Sequence, residues 1–193
     1  MDKVPDNLFP PALAAIQAET VALGFNMASE PQTGALLRAL AASKPAGTLL
    51  ELGTGTGLSA AWLLEGMDAK STLLSVDTDP AAQAIAQRHL GHDGRLTLVC
   101  EDGAHWLRVN QAARFDLIFA DAWPGKFDEP EMALNLLKPG GIYFIDDLLP
   151  QANWPEGHAP KVPRLLEWLE AQPGYQTVRL AWASGLMLVV RTG

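Results

Sequence analysis

Gly53, Gly55 and Gly57 alternate with Thr54 and Thr56 directly after the apolar run Leu49-Leu50-Glu51-Leu52. Glycines have no Cβ, so such a run lets the backbone turn sharply and approach a ligand closely. A helix following at Ser59 would aim its free N–H groups over the turn, which favours an anionic group there. The spacing departs from the dinucleotide fingerprint G-x-G-x-x-G. Counted from Gly53 the sixth position is Leu58; counted from Gly55 it is Ala60, a permitted variant. The plain alternative is a glycine-rich turn in some other nucleotide-binding α/β protein.

Acids recur further along the chain, each after an apolar run. Asp77 stands twenty residues after Gly57, where a carboxylate can accept two hydrogen bonds from ribose hydroxyls. Glu101-Asp102-Gly103 is placed to accept a hydrogen bond from an adenine amino group. Any one of these acids alone reads equally as a helix cap, but their recurrence on one rim favours a ligand site. Asp121, Asp146 and Asp147 would converge if the strands ending in them are neighbours. Clustered carboxylates repel unless protonated or neutralised by a cation, and hard oxygen ligands suit Mg²⁺, Mn²⁺ or Ca²⁺. Alternatively Asp146 or Asp147 points away or caps a turn, and no metal binds.

Lys126 lies five residues after Asp121. It either reaches the site from a kinked loop at Pro124-Gly125 or is a solvated surface lysine. Trp123 and Trp154 fall on the same rim, where an aromatic face can stack on a flat acceptor. Trp62, Trp106 and Trp168 sit on helical stretches and read as packing residues. The histidines 89, 92, 105 and 158 lack metal-ligand spacing; His158, in the proline-rich loop, is either a surface histidine, the plainer reading, or a substrate contact. Cys100 reads as a buried thiol.

These residues need a scaffold that brings strand ends together. Apolar runs at 49–52, 72–77, 96–100, 115–121 and 142–147 alternate with helical stretches, and the runs are continuous, as in parallel strands covered on both faces. The pattern predicts right-handed crossovers and a doubly wound Rossmann-like sheet. Helical patterns at 11–23 and 30–44 precede it. Pro139-Gly140-Gly141 reads as a turn into the fifth strand. The four prolines between residues 150 and 163 mark a loop, and a helix over 164–171 follows. Tyr175–Trp182 and Gly185–Thr192 read as a hairpin whose final strand runs antiparallel to the others. The expected architecture is therefore an α/β, mostly parallel seven-stranded sheet in one domain over 1–193, with N-terminal helices at 1–46 and the core at 47–193.

Composition narrows the partners. The chain has 193 residues, 48% of them hydrophobic, and a net charge of −8, which argues against a nucleic-acid or anionic-membrane surface. A single cysteine excludes an internal disulfide framework and fits a reducing, cytoplasmic setting. A small-molecule acceptor is the expected partner, and the choice between monomer and homodimer stays open.

Taken together, Glu51-Leu52-Gly53-Thr54-Gly55-Thr56-Gly57-Leu58-Ser59, Val76-Asp77-Thr78-Asp79-Pro80, Glu101-Asp102-Gly103-Ala104, the stretch 116–123 and Leu137-Lys138-Pro139-Gly140-Gly141-Ile142 resemble the class I S-adenosylmethionine-dependent methyltransferases. They are most similar to the small cation-dependent O-methyltransferases of the catechol and caffeoyl-CoA type. The resemblance covers most of the chain from about Met27 onward, where Met27-Ala28-Ser29-Glu30-Pro31-Gln32-Thr33-Gly34 is similar to the family's stretch before the glycine motif. It implies a cofactor site of S-adenosylmethionine at Ala28, Glu51, Gly53, Thr54, Gly55, Gly57, Ser59, Asp77, Asp102, Gly103 and Asp121. It further implies a divalent cation (Mg²⁺ or Mn²⁺) on Asp121, Asp146 and Asp147, and Lys126 with Asp121 at the chemistry. Two departures stand out: the family's Asp-Asn at the fifth strand end is Asp146-Asp147 here, and Pro124-Gly125 separates Asp121 from Lys126. Alternative functions are a metal-independent N- or carboxyl-methyltransferase, a nicotinamide-dependent oxidoreductase, or a non-catalytic ligand-binding protein.

Overall fold

The computed structural model of the chain describes residues 4–5 and 8–193, so positions 1–3 and 6–7 of the expected N-terminal region lie outside the described residues. Helices α1 (Leu13–Leu23) and α2 (Pro31–Ala42) lead into strand β1 (Thr48–Leu52), α3 (Leu58–Gly66), β2 (Thr72–Asp77), α4 (Pro80–Leu90), β3 (Leu96–Cys100), α5 (Gly103–Val109) and β4 (Phe115–Ala120). A single broken turn α6 (Trp123–Lys126), then α7 (Pro130–Asn135), β5 (Leu137–Ile145), α8 (Lys161–Glu170) and the hairpin β6 (Tyr175–Leu180) and β7 (Leu186–Arg191) follow. Helix starts obey local chemistry. Pro31, Pro80 and Pro130 occupy first-turn positions, where a missing N–H costs nothing. Asp79 caps α4 by accepting from the Ala81 and Ala82 amides.

The strands form one sheet in the order β3-β2-β1-β4-β5-β7-β6. The pairs among β1 to β5 are parallel, and β7 runs antiparallel to both β5 and β6. This is the expected doubly wound, mostly parallel sheet of seven strands. Strand alternation divides the core into two layers. Leu49, Leu117, Phe119 and Phe144 face a layer built with Ile16, Leu37 and Leu63. Leu50, Leu52, Ile118, Tyr143 and Ile145 face the other, built with Leu107, Leu134 and Leu165. Both faces are covered, which explains why the central strands read as unbroken apolar runs. Among the described residues no helix is long and apolar enough to cross a membrane.

Three expectations shift. β5 begins at Leu137, not Ile142: Pro139-Gly140-Gly141 is a bulge inside the strand, and the register jumps from Phe115↔Leu137 to Leu117↔Ile142. α8 begins at Lys161, because Pro163 falls in a first turn that does not need its N–H. Cys100 is exposed, not buried, since β3 is an edge strand with incomplete cover.

Candidate active site

β1 stops at Leu52 because the next backbone conformations exclude most side chains. Gly53 has φ +106°, and a Cβ there would lie 3.0 Å from the Asp121 carbonyl carbon and oxygen. Gly57 has φ +94°, and its Cβ would meet the Ala86 Cβ at 2.7 Å. The first glycine lets β1 and β4 end side by side; the second lets α3 start against α4. Asp77 braces the turn from the next strand. Its Oδ2 accepts from the Gly55 amide at 2.7 Å and its Oδ1 from the Asp79 amide at 2.9 Å.

Glu51 is fully buried beneath this turn. It accepts a hydrogen bond from Ser75, and its Oε1 has no partner. Burial pushes its carboxyl up to about 7, against the pull of the Ser59 and Ser75 hydroxyls. Ser75 also meets Thr54 Oγ1 at 2.5 Å, so a chain of buried hydroxyls ties Glu51 to the turn. Glu51 therefore supports the turn from below.

Across the sheet the fittings are side chains. Asp121 follows β4, accepts from Ser29 Oγ at 2.7 Å and lies 3.9 Å from Lys126 Nζ. Burial raises its carboxyl well above the ordinary range, with Asp146 adding to the rise and Lys126 opposing it. Lys126 gets there because α6 is broken: Pro124 has ψ 130° and Gly125 φ 80°, which fold the chain back under Trp123. Tyr143 donates to the Gly125 carbonyl and pins the kink. Lys126 is 1% exposed, so of its two expected placements the structure takes the kinked loop. Its ammonium also lies 4.0 Å from Asp147 Oδ2.

The expected metal cluster is not assembled. Asp146 is buried, accepts from Ser184 and from the Asp147 amide, and its carboxyl is pushed up to about 6, burial being the main cause. Asp147, at φ 62°, lines the cavity. The lysine ammonium stands near Asp121 and Asp147, and no group of three or more candidate ligands suited to a metal ion occurs among the described residues. The lysine ammonium supplies the cationic partner of these two acids.

The two halves share one cavity of about 430 Å³. Of the expected residues, Ala28, Gly53, Thr54, Gly55, Ser59, Asp77, Asp121, Trp123, Lys126 and Asp147 line it. Glu51, Gly57, Asp146 and Trp154 stand behind the lining. Asp102 caps α5 through Oδ1, 2.7 Å from the His105 amide, and Gly103 packs on Pro124, beyond the lining residues. Sequence reading does not single out Phe25 or Ser29 for the lining, and of the two readings of His158 the structure takes the cavity. His158 is buried, 2% exposed, not a surface residue. Its Nε2 lies 3.0 Å from the Asp147 carbonyl. Trp154 stacks on it at 4.3 Å and Phe127 meets it edge-on at 4.8 Å. Desolvation lowers its pKa. Nothing in the local pattern around residue 158 signals this placement; Ser29 lay within a segment that carried the resemblance.

The methyltransferase-domain family profile matches residues 50–148. A "Putative O-methyltransferase" of Mycolicibacterium vanbaalenii is 35% identical over 140 residues, covering 69% of this chain and 61% of that protein. The chain thus spans about three fifths of the length of such curated relatives. In fold, it is similar to the cofactor-bound Rv0187 of MTB (TM-score 0.81, 24% identity, 95% of this chain and 91% of that one). It is also similar to the O-methyltransferase of Bacillus cereus in complex with SAH (TM-score 0.79, 20% identity, 94% and 90%). The profile ends just past the Asp146-Asp147 pair and contains both the glycine turn and the Lys126 kink: this chain belongs to the methyltransferase-domain family.

Proposed function

We propose that the chain is an S-adenosylmethionine-dependent O-methyltransferase acting on a hydroxyl of a small acceptor. The carrying observation is the single cavity that joins the glycine turn and Asp77 to Asp121 and Lys126. Bound S-adenosylmethionine supplies a methyl group already activated on a sulfonium, which leaves the protein to provide position and electrostatics. Asp77 accepts from the ribose hydroxyls. Ala28, Ser59 and the start of α3 hold the methionine carboxylate, and Asp102 serves the adenine side with the oxygen left free by its capping bond.

On the acceptor side, Trp123 flanks a planar substrate, with Trp154 backing it through His158. Methylation of a hydroxyl releases one proton. Asp121, raised by burial, is a stronger base than an exposed carboxylate, and Lys126 beside it steadies the developing oxyanion. No step passes through a metal.

Calorimetric titration with S-adenosylhomocysteine and with NAD, followed by a methyl-transfer screen over phenolic acceptors, tests the reading. Tight binding of the first ligand, none of the second, and methylation of a hydroxyl are expected. Binding of NAD alone would return the chain to the oxidoreductases; cofactor binding with transfer only to amines would favour an N-methyltransferase.

A further inference from the structure

A second cavity of about 300 Å³ adjoins the first behind Lys126, lined by Phe127, Lys161, Arg164, Leu165 and Trp168 among others. Its charge runs against the chain. The molecule carries −8 overall, yet the ionisable residues lining this groove are Lys126, Lys161 and Arg164, all cationic. Arg164 is exposed and, among the described residues, makes no hydrogen bond or ion pair. Lys161 meets one acid, Asp128, at 3.7 Å.

The placement of these cations is also unfavourable for the helix that carries them. Lys161 and Arg164 occupy the first turn of α8, which contains no acid. A helix N-terminus already bears partial positive charge, and cations there are destabilising. A negative group in the groove would remove that cost. The positions 161, 164 and 168 lie along one helix face, so the aromatic ring of Trp168 continues the surface that the two cations begin. α8 meanwhile buries Val162, Leu165 and Leu169 against the core.

The groove and the main cavity have one lining residue in common. Lys126 lines both. The Lys161 ammonium sits 3.7 Å from the centroid of the Trp123 ring, and that ring lines the main cavity. A cation over an aromatic face is attracted to it, which holds Lys161 at the boundary.

We propose that this groove receives the anionic group of the methyl acceptor, and that the acceptors are small aromatic hydroxy acids. This rests on the reading of the main cavity as a methyl-transfer site and adds the substrate class. Arg164 offers a planar guanidinium for a carboxylate, Lys161 adds a second charge, and Phe127 with Trp168 covers the ring or chain next to it.

The test uses the full chain loaded with S-adenosylhomocysteine. Calorimetry compares 3,4-dihydroxybenzoate with catechol, and benzoate serves as a carboxylate without a methylatable hydroxyl. The wild type should bind 3,4-dihydroxybenzoate about tenfold or more tightly than catechol, the effect of one charge-assisted hydrogen bond. Arg164→Glu should erase that preference and leave S-adenosylhomocysteine affinity unchanged; Arg164→Lys should restore part of it. Competition by benzoate alone against the acid would place the carboxylate, rather than the diol, in the groove. Equal binding of acid and diol by the wild type, or a preference that survives Arg164→Glu, would overturn the proposal. Because the cofactor titration is read separately, failure here leaves the methyltransferase reading standing, and loss of cofactor binding in the wild type would remove that reading instead.

Discussion

The two sides of the cavity are built by different means. The ends of β1 and β2 form a surface of backbone: glycines at positive φ, amides turned toward Asp77, and buried hydroxyls beneath. The ends of β4 and β5 form a surface of side chains, with Asp121, Lys126, Asp146 and Asp147 held by mutual charge and by bonds from distant segments. A backbone surface permits few sequences, because a Cβ in the wrong place destroys it. A side-chain surface can be reached from many sequences, because what matters is where long side chains end. The first suits a constant ligand and the second a variable one.

The sharpest way to break this contrast is to remove the ammonium. Lys126→Met should lower turnover about a thousandfold, within the range for loss of a positioned proton-handling or charged group. It should also lower unfolding stability by about 3 kcal/mol, because Asp121 then stays buried without its cation. Affinity for S-adenosylhomocysteine, measured by calorimetry, should hardly move. An equal collapse of cofactor binding would show that the two sides are one unit.

Glu51→Gln probes the buried support of the backbone side. The Glu51 carboxyl is raised from 4.5 to about 7 in the folded chain, so the native state binds the extra proton between those values. Stability from this group is therefore full below the unfolded value and is lost as pH rises through about 7. The wild type should lose up to about 3 kcal/mol of stability relative to Glu51→Gln between pH 5 and pH 8. Denaturant titrations at the two pH values measure it, and parallel curves for the two proteins would mean that Glu51 titrates as an ordinary carboxyl.

Asp77→Ala should weaken S-adenosylmethionine binding by about 1.5–3 kcal/mol. The loss combines the ribose contact with the brace on the Gly55 amide, and the acceptor KM should stay near its wild-type value. An unchanged dissociation constant would move the ribose elsewhere. The smallest effect expected is that of exhaustive chelation: turnover should change by less than about twofold, since a lysine stands near Asp121 and Asp147. Loss of activity with EDTA and return with Mg²⁺ would show that the acids rearrange around a cation.

The same contrast explains what the sequence revealed. β2 and β3 were legible to the residue, and so was the glycine turn, because local backbone demands leave local marks. Asp77 could be placed because a strand end after a βα unit fixes its position. The acceptor side was only partly legible. Asp121 showed through its strand, but Lys126 depended on whether Pro124-Gly125 folds inward. That outcome is set by Tyr143, seventeen positions past Lys126 in sequence and on another strand. Asp146 read as a metal ligand because nothing near it announces Ser184. His158 read as a surface residue because its cover, Trp154 and Phe127, assembles only in three dimensions.

β7 lies between β5 and β6 although it is made after both. The hairpin before it supplies the hydroxyl that holds Asp146, and the carbonyls of Ser184 and Gly185 take the amides of Leu149 and Leu148. On the ribosome, the strands that carry the glycine turn and Asp77 emerge well before residues 184–191, for which the opposite wall must wait. Through that interval β5 has a bare edge of backbone donors and acceptors, open to pairing with any strand nearby. That exposure is dictated by where one strand inserts, and it ends when β7 takes its place.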